Sequence, residues 1–196
     1  MAPMSSTKQM LNKHQRLVLL QTARASIRTG LLEGHPLPVE PADFELTLQA
    51  QRATFVTLNK HGELRGCIGH LEAMQPLIKD VADNAFSAAF QDHRFPPLSR
   101  NEFDQIEIHI SVLSPPKPLS FASEQDLLQQ IHPGTDGLIL QDGHYRGTFL
   151  PSVWEQLPTR EEFLAHLKIK AGLPVSHWSD TLKVFRYTTE SFGEKE

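Results

Sequence analysis

The chain has 196 residues, 39% hydrophobic and 21% charged, with a formal charge of −4. That length supports one good core or two small subdomains sharing one, and the composition excludes disorder over most of the chain. No run of Lys or Arg forms a basic stripe, which argues against a nucleic-acid surface, and the single cysteine excludes an internal disulfide or a CxxC site.

A lone thiol fits a reducing compartment. Met1 to Met10 lacks the apolar core of a signal peptide, and the run Leu17 to Leu20 is far too short to span a bilayer. The expectation is a cytoplasmic protein with no membrane association.

In chain order, Lys8 to Leu32 reads as a helix with Leu20, Ala23, Ile27 and Leu31 on one face. Gly34 ends it, and Pro36, Pro38 and Pro41 make an extended linker. Ala53 to Leu58 is β-prone, Lys60-His61-Gly62 is a turn, and Leu64 to His70 is the returning strand of a hairpin. Pro76 to Gln91 is a helix whose stripe is Leu77, Val81, Ala85 and Ala89, and Pro96-Pro97 bars its continuation. Ile106, Ile108, Ile110 and Val112 then alternate with Glu107, His109 and Ser111, the clearest strand in the chain.

The second half repeats this order. A short helix at 124–130 precedes a hairpin from Asp136–Leu140, Asp142-Gly143 and Tyr145–Leu150. A helix at Arg160–Ala171 points Phe163, Leu164 and Leu167 inward, and Leu182 to Tyr187 is a final strand. Gly62-Glu63-Leu64-Arg65-Gly66-Cys67 aligns with Gly143-His144-Tyr145-Arg146-Gly147-Thr148, an offset of 81 residues. Gly-x-x-Arg-Gly alone is a weak motif, but the second hairpin and helix lie close to the same offset, with the final strand arriving a few residues early. The pattern reads as an ancient duplication of a hairpin–helix–strand unit, covering about 51–114 and 135–190. The expected fold is α+β: one domain over 8–190, two interlocked subdomains, mixed or antiparallel sheets, and the N-terminal helix 8–32 packed on them.

Cys67 carries the sharpest chemistry. On a strand it shares a face with Arg65 and Gly69, so a guanidinium lies along the same face as the thiol. Gly66 and Gly69 leave room for a backbone or a ligand. The packing alternative stands beside this: free cysteine often fills a core, and Arg65-Gly66 recurs as Arg146-Gly147. A nucleophilic thiol needs a base, and the candidates are His70, His93, His109 and His144. His109 is best placed, because Glu107, His109 and Ser111 share a polar strand face that is either solvent-facing or the wall of a cavity. Arg94 beside Phe95 reads either as half of an anion clamp with Arg65 or as part of a helix stop. The histidines are scattered, with no HExxH and no Cys/His cluster, so no metal is expected. Neither Walker A nor GxGxxG occurs, and no cofactor is expected. Trp154 and Trp178 read as core or subdomain-joint residues rather than stacking platforms.

Leu64-Arg65-Gly66-Cys67-Ile68-Gly69 resembles the hallmark hexapeptide of the AMMECR family, named after a human contiguous-gene-deletion region. Asp92-His93-Arg94-Phe95-Pro96-Pro97 resembles that family's Asp-x-Arg-Phe-Pro-Pro segment. Ile110 to Pro115 and Gly147 to Trp154 resemble its later blocks, so the likeness runs from about residue 16 to 190. The sequence departs at His70, where relatives often have Ser or Thr, and at His109, where many have a carboxylate. The resemblance implies an α+β fold of two connected subdomains. It implies no reaction, because the family has no settled biochemical activity. Prokaryotic members are often encoded with, or fused to, proteins of the Memo family and a radical S-adenosylmethionine family, which implies such partners.

Two functions are therefore expected as alternatives. One is a cysteine-dependent enzyme acting on a small molecule in a pathway with Memo-family and radical-SAM proteins. The other is a non-catalytic ligand- or partner-binding scaffold whose hexapeptide is structural. In the first, Cys67 is the nucleophile and His109 the base, with Arg65, Gly66, Gly69, Arg94, Glu107 and Ser111 binding. Cys67 is then expected to border a cavity at the joint between the two halves.

Overall fold

A computed structural model describes residues 10–195. The start of the expected first helix, Lys8 and Gln9, lies outside the described residues. Helix α1 spans Lys13–Glu33. Its start is set by a reciprocal cap: the Asn12 side chain accepts from Gln15 N, and the Gln15 side chain accepts from Asn12 N. Gly34, at φ 80°, ends it in the left-handed conformation that glycine adopts without strain. The short α2 (Leu46–Gln49), strands β1 (Thr54–Lys60) and β2 (Glu63–Gly69), helix α3 (Leu77–Phe90) and strand β3 (Ile106–Leu113) follow. Then come β4 (Lys117–Pro118), α4 (Glu124–Gln130), β5 (Gly137–Asp142), β6 (Tyr145–Phe149), α5 (Arg160–Lys170), β7 (Lys183–Tyr187) and β8 (Thr189–Gly193).

The chain divides into two compact units. The first holds the chain up to Val112 together with the return from Glu190, and the second runs from Leu113 to Thr189. In the first, the sheet order is β2-β1-β3-β8. Alternation decides its faces. Thr54, Val56 and Leu58 of β1, with Ile106, Ile108, Ile110 and Val112 of β3, are buried in a core shared with Leu77, Ile78, Val81 and Ala85 of α3. Phe55, Thr57, Glu107, His109 and Ser111 form the opposite, half-buried face.

The second unit has the order β4-β7-β5-β6 around a separate core that includes Leu138, Leu140, Trp154, Phe163 and Leu167. In each unit the first hairpin strand is flanked by its hairpin partner on one side and by the third strand on the other. All of these pairings are antiparallel. Ser111 meets Ser191 and Ile108 accepts from Glu194 N, the opposed register of an antiparallel β3–β8 pair. The sheets are thus antiparallel rather than mixed. The third strand of the second unit comes early: Lys183 lies 77 residues after Ile106, short of the 81-residue offset.

The repeated Arg-Gly pair has a packing cause. A Cβ on Gly66 would lie 2.2 Å from the carbonyl oxygen of Ala88 in α3. A Cβ on Gly147 would lie 2.8 Å from the backbone nitrogen of Ala171, just past α5. Each glycine lets its unit's helix sit directly on the hairpin.

Candidate functional site at Cys67

The hexapeptide forms most of β2, the edge strand of the first sheet. Gly66 faces α3, so its neighbour Cys67 faces the opposite side of the sheet. Gly69 lies against β1, where a Cβ would be 2.2 Å from the Thr54 carbonyl oxygen. At both glycines the place of a Cβ is therefore taken by the unit's own backbone, of α3 at Gly66 and of β1 at Gly69. The expectation that they open a floor for a ligand is corrected on that ground.

Cys67 is half-buried. Its Sγ accepts a hydrogen bond from Thr57 Oγ1 at 3.2 Å, from the residue directly opposite on β1. The backbone groups of Cys67 turn outward from the sheet and are taken by two side chains. Cys67 N donates to Asp92 Oδ2 at 2.9 Å, and Arg94 Nη2 donates to the Cys67 carbonyl at 3.3 Å. Arg94 in turn clasps Asp92 through Nε at 3.0 Å and Nη2 at 2.7 Å. Asp92 and Arg94 thus do for this edge what a neighbouring strand would do. The Arg94 side-chain hydrogen bond holds the Asp92 carboxyl far below the usual carboxylate range, against the opposing effect of burial. The same bond pushes Arg94 upward, with a smaller electrostatic contribution from Cys67.

Arg65 is placed differently from expectation. It is buried, and its Nε and Nη2 form a two-pronged ion pair with Glu102 at 3.0 Å each. Nη2 also donates to the Pro96 carbonyl at 2.9 Å. Glu102 takes Lys60 Nζ at 3.1 Å as well, and its carboxyl is held far below the usual range, first by Arg65 and then by the Ser99 amide. The Arg65 charge is therefore committed to Glu102, and the guanidinium that touches Cys67 is that of Arg94. Arg65 Nη1 is buried and makes no hydrogen bond among the described residues. Both guanidinium carbons approach the Phe95 ring, Arg65 at 5.8 Å and Arg94 at 5.5 Å from its centroid.

The register aligns Cys67, Thr57 and His109 in one row across β2, β1 and β3. His109 stands two strands from Cys67, roughly 10 Å away by inter-strand spacing. Among the described residues no hydrogen bond joins them, so the expectation of His109 as the direct base is corrected by distance. Its ring lies over Gly193, where a Cβ would be 2.5 Å from Nδ1. On the same face Glu107 pairs with Lys195, and Ser111 Oγ pairs with Ser191 Oγ at 2.8 Å. Their polar groups are engaged by the C-terminal strand and its tail. His93 is exposed, and His144 stacks on Tyr145 in the second unit.

Sequence reasoning named Arg94 and missed Asp92, although the two stand in one Asp-x-Arg segment. It also missed Asp80, fully buried in α3. Asp80 accepts from Thr54 Oγ1 at 2.6 Å and Asn84 Nδ2 at 3.0 Å, and His70 Nε2 lies 3.3 Å away. Burial raises its carboxyl above the ordinary value despite these bonds. The legible signal was Asp80 and Asn84, four residues apart beside the apolar stripe. Among the described residues no three His, Cys, Asp or Glu side chains group as metal ligands. No described helix is long and apolar enough to cross a membrane.

Comparison with known proteins finds relatives along most of the chain. The AMMECR1 family model matches residues 20–192. A protein of Methanothermobacter thermautotrophicus is 39% identical over 190 residues, covering 94% of this chain and 96% of that one. Protein MJ0810 of Methanocaldococcus jannaschii is 38% identical over 182 residues, covering 89% and 87%. The crystal structure of the uncharacterised protein PH0010 from Pyrococcus horikoshii superposes with a TM-score of 0.79 at 36% identity, covering 90% of each chain.

Proposed function

We propose, for a chain that belongs to the AMMECR1 family, an enzyme that uses the Cys67 thiol on a small molecule. One observation carries this reading: three side chains from two other segments hold Cys67, one through its sulfur and two through its backbone. Thr57 donates to its sulfur, while Asp92 and Arg94, themselves an ion pair, fix its backbone amide and carbonyl. The second unit supports the reading by contrast. The counterpart of Cys67 is Thr148, whose hydroxyl donates to the Leu138 carbonyl within the hairpin. The counterparts of Asp92 and Arg94 at the same offset are Leu173 and Val175. The clasp therefore goes with the thiol and not with the fold.

The experiment is intact-protein mass spectrometry after exposure to a small-molecule extract of the source cells. A mass increment on wild type that is absent from Cys67→Ser is the expected result. A native protein that takes no increment, with a thiol that labels only after unfolding, contradicts it.

The proposal includes a cytoplasmic setting, supported by the single thiol, and work alongside Memo-family and radical-SAM proteins, supported by the family resemblance alone. Co-purification with a co-expressed Memo-family protein tests it, and two separate elution peaks contradict it. A scaffold reading is favoured by a different observation, that Gly66 and Gly69 are packing positions. It predicts partner binding that is indifferent to Cys67→Ser.

A further inference from the structure

We propose that the outer edge of β6 is a docking site for an extended, acidic segment of a partner protein, which adds a fifth strand to the second sheet. The backbone direction of that edge follows from the pairing. Leu119 N donates to the Val184 carbonyl, so the backbone of Val184 points to β4. Its partner on β5, Leu140, therefore points the other way, to Gly147 of β6. Alternation then turns the N–H and C=O of Thr148 outward from the sheet. Cys67, the counterpart of Thr148 in the first unit, has the same outward groups, and there Asp92 and Arg94 take them. Among the described residues, the bonds of Thr148 beyond the hairpin ladder are those of its hydroxyl alone.

The course of the chain after α5 explains the difference. Leu173 and Val175 stand at the offset of Asp92 and Arg94. The Val175 carbonyl accepts from the buried Lys168 at 3.0 Å. His177 Nε2, Ser179 Oγ and Thr181 Oγ1 each lie 2.6 Å from the Asp142 carboxylate. The segment that could cap β6 is thus held against α5 and the end of β5. The opposite edge of this sheet is blunted, since β4 is two residues long and one of them is Pro118. β6 has neither device.

The surroundings define the occupant. An outward N–H and C=O pair is met by an extended backbone. Exposed apolar side chains stand beside it: Tyr145 at 41%, Ile169 at 54% and Val175 at 50%. A Cβ on Gly172 would lie 3.2 Å from the Tyr145 ring, and the Gly172 amide closes on the Ile169 carbonyl, so Tyr145 and Ile169 flank one turn. The charge here has one sign. Residues 143–149 and 165–177 contain no Asp or Glu, and they expose Arg146 and Lys170. Lys170 Nζ stands 4.9 Å from the Phe149 ring centroid and makes no ion pair among the described residues. A cationic edge disfavours basic strands and favours an acidic one. A second copy of the chain would set this strip against itself, like charge to like.

The test selects a random heptapeptide library, displayed on phage, against the folded full-length protein. The enriched sequence is then synthesised with a fluorophore. Acidic residues alternating with apolar ones are the expected enrichment, with saturable binding by fluorescence anisotropy. Thr148→Pro removes the outward N–H without breaking a bond of the hairpin ladder, and should abolish binding. Lys170→Glu leaves the backbone intact and reverses an exposed charge. It should weaken binding at least several-fold with circular dichroism unchanged. In the complex the Thr148 amide should exchange with solvent more slowly than in the free protein. No enrichment, enrichment of basic sequences, or binding that Lys170→Glu leaves unchanged overturns the proposal. Dimerisation of the wild-type chain that Thr148→Pro abolishes also overturns it, because the edge then belongs to a second copy.

Discussion

Asp92 bonds to both the amide of Cys67 and the side chain of Arg94, so removing its carboxylate breaks several bonds at once. Asp92→Ala should cost roughly 2 kcal/mol at neutral pH, discounted for the exposure of Arg94. Chemical denaturation of the variant checks this. The pH dependence has a definite sign. The folded-state pKa values of Asp92 and Glu102 are depressed, so the stability they contribute is present above the ordinary carboxylate range. It is lost as pH falls below that range. Wild type should therefore lose stability on acidification more steeply than Asp92→Asn or Glu102→Gln. Asp80 has the opposite sign, because burial raises it and its contribution is fullest below the ordinary range. Asp80→Asn should gain stability relative to wild type as pH rises from about 4 to about 7. A loss over that interval would mean that the buried carboxylate is favoured in its charged form.

At the scale of elements, the hairpins, α3 and β3 were legible because alternation and the 3.6-residue stripe are strong there. The expected first helix included Met10 to Asn12, which carry no sequence signal against helix, whereas the Asn12–Gln15 cap starts α1 at Lys13. Strand β8 was not read at all. Its sequence, Thr-Glu-Ser-Phe-Gly, has no alternation, and it forms by adding to β3. Strand β4 is two residues, one of them proline. The site follows the same logic. Cys67 and Arg94 stood out by residue type, while the commitment of Arg65 to Glu102 depends on tertiary placement. The distance from His109 to Cys67 depends on which strand lies between them. Gly66→Ala should be among the most damaging substitutions, because its new Cβ meets helix backbone, costing about 3 kcal/mol or more. Gly147→Ala should cost less, its clearance being 2.8 Å rather than 2.2 Å. Thermal melts of the two variants test this order.

At the scale of the whole molecule, the first unit is completed only when the chain returns at Glu190. There Glu190 takes Arg16 at 2.8 Å and Leu11 N at 3.1 Å, and Glu194 takes Arg24 at 2.6 Å. Arg16 and Arg24 lie two turns apart on α1, so the last strand fastens to the first helix at both of its ends. Truncation after Thr189 should lower the melting temperature and expose the β3 edge, which increased aggregation would reveal. This closure also bears on the site, since β8 and its tail engage His109, Ser111 and Glu107 at one side of the sheet and leave Cys67 at the far edge. The central claim is that Cys67 is a native-state reactive thiol served by Arg94. It is tested most directly by the second-order rate of iodoacetamide labelling of folded wild type and folded Arg94→Gln near neutral pH. The account predicts that wild type labels at least as fast as glutathione and that Arg94→Gln labels several-fold more slowly with its circular dichroism unchanged. A thiol that labels only on unfolding, or at the same rate in both proteins, would contradict it.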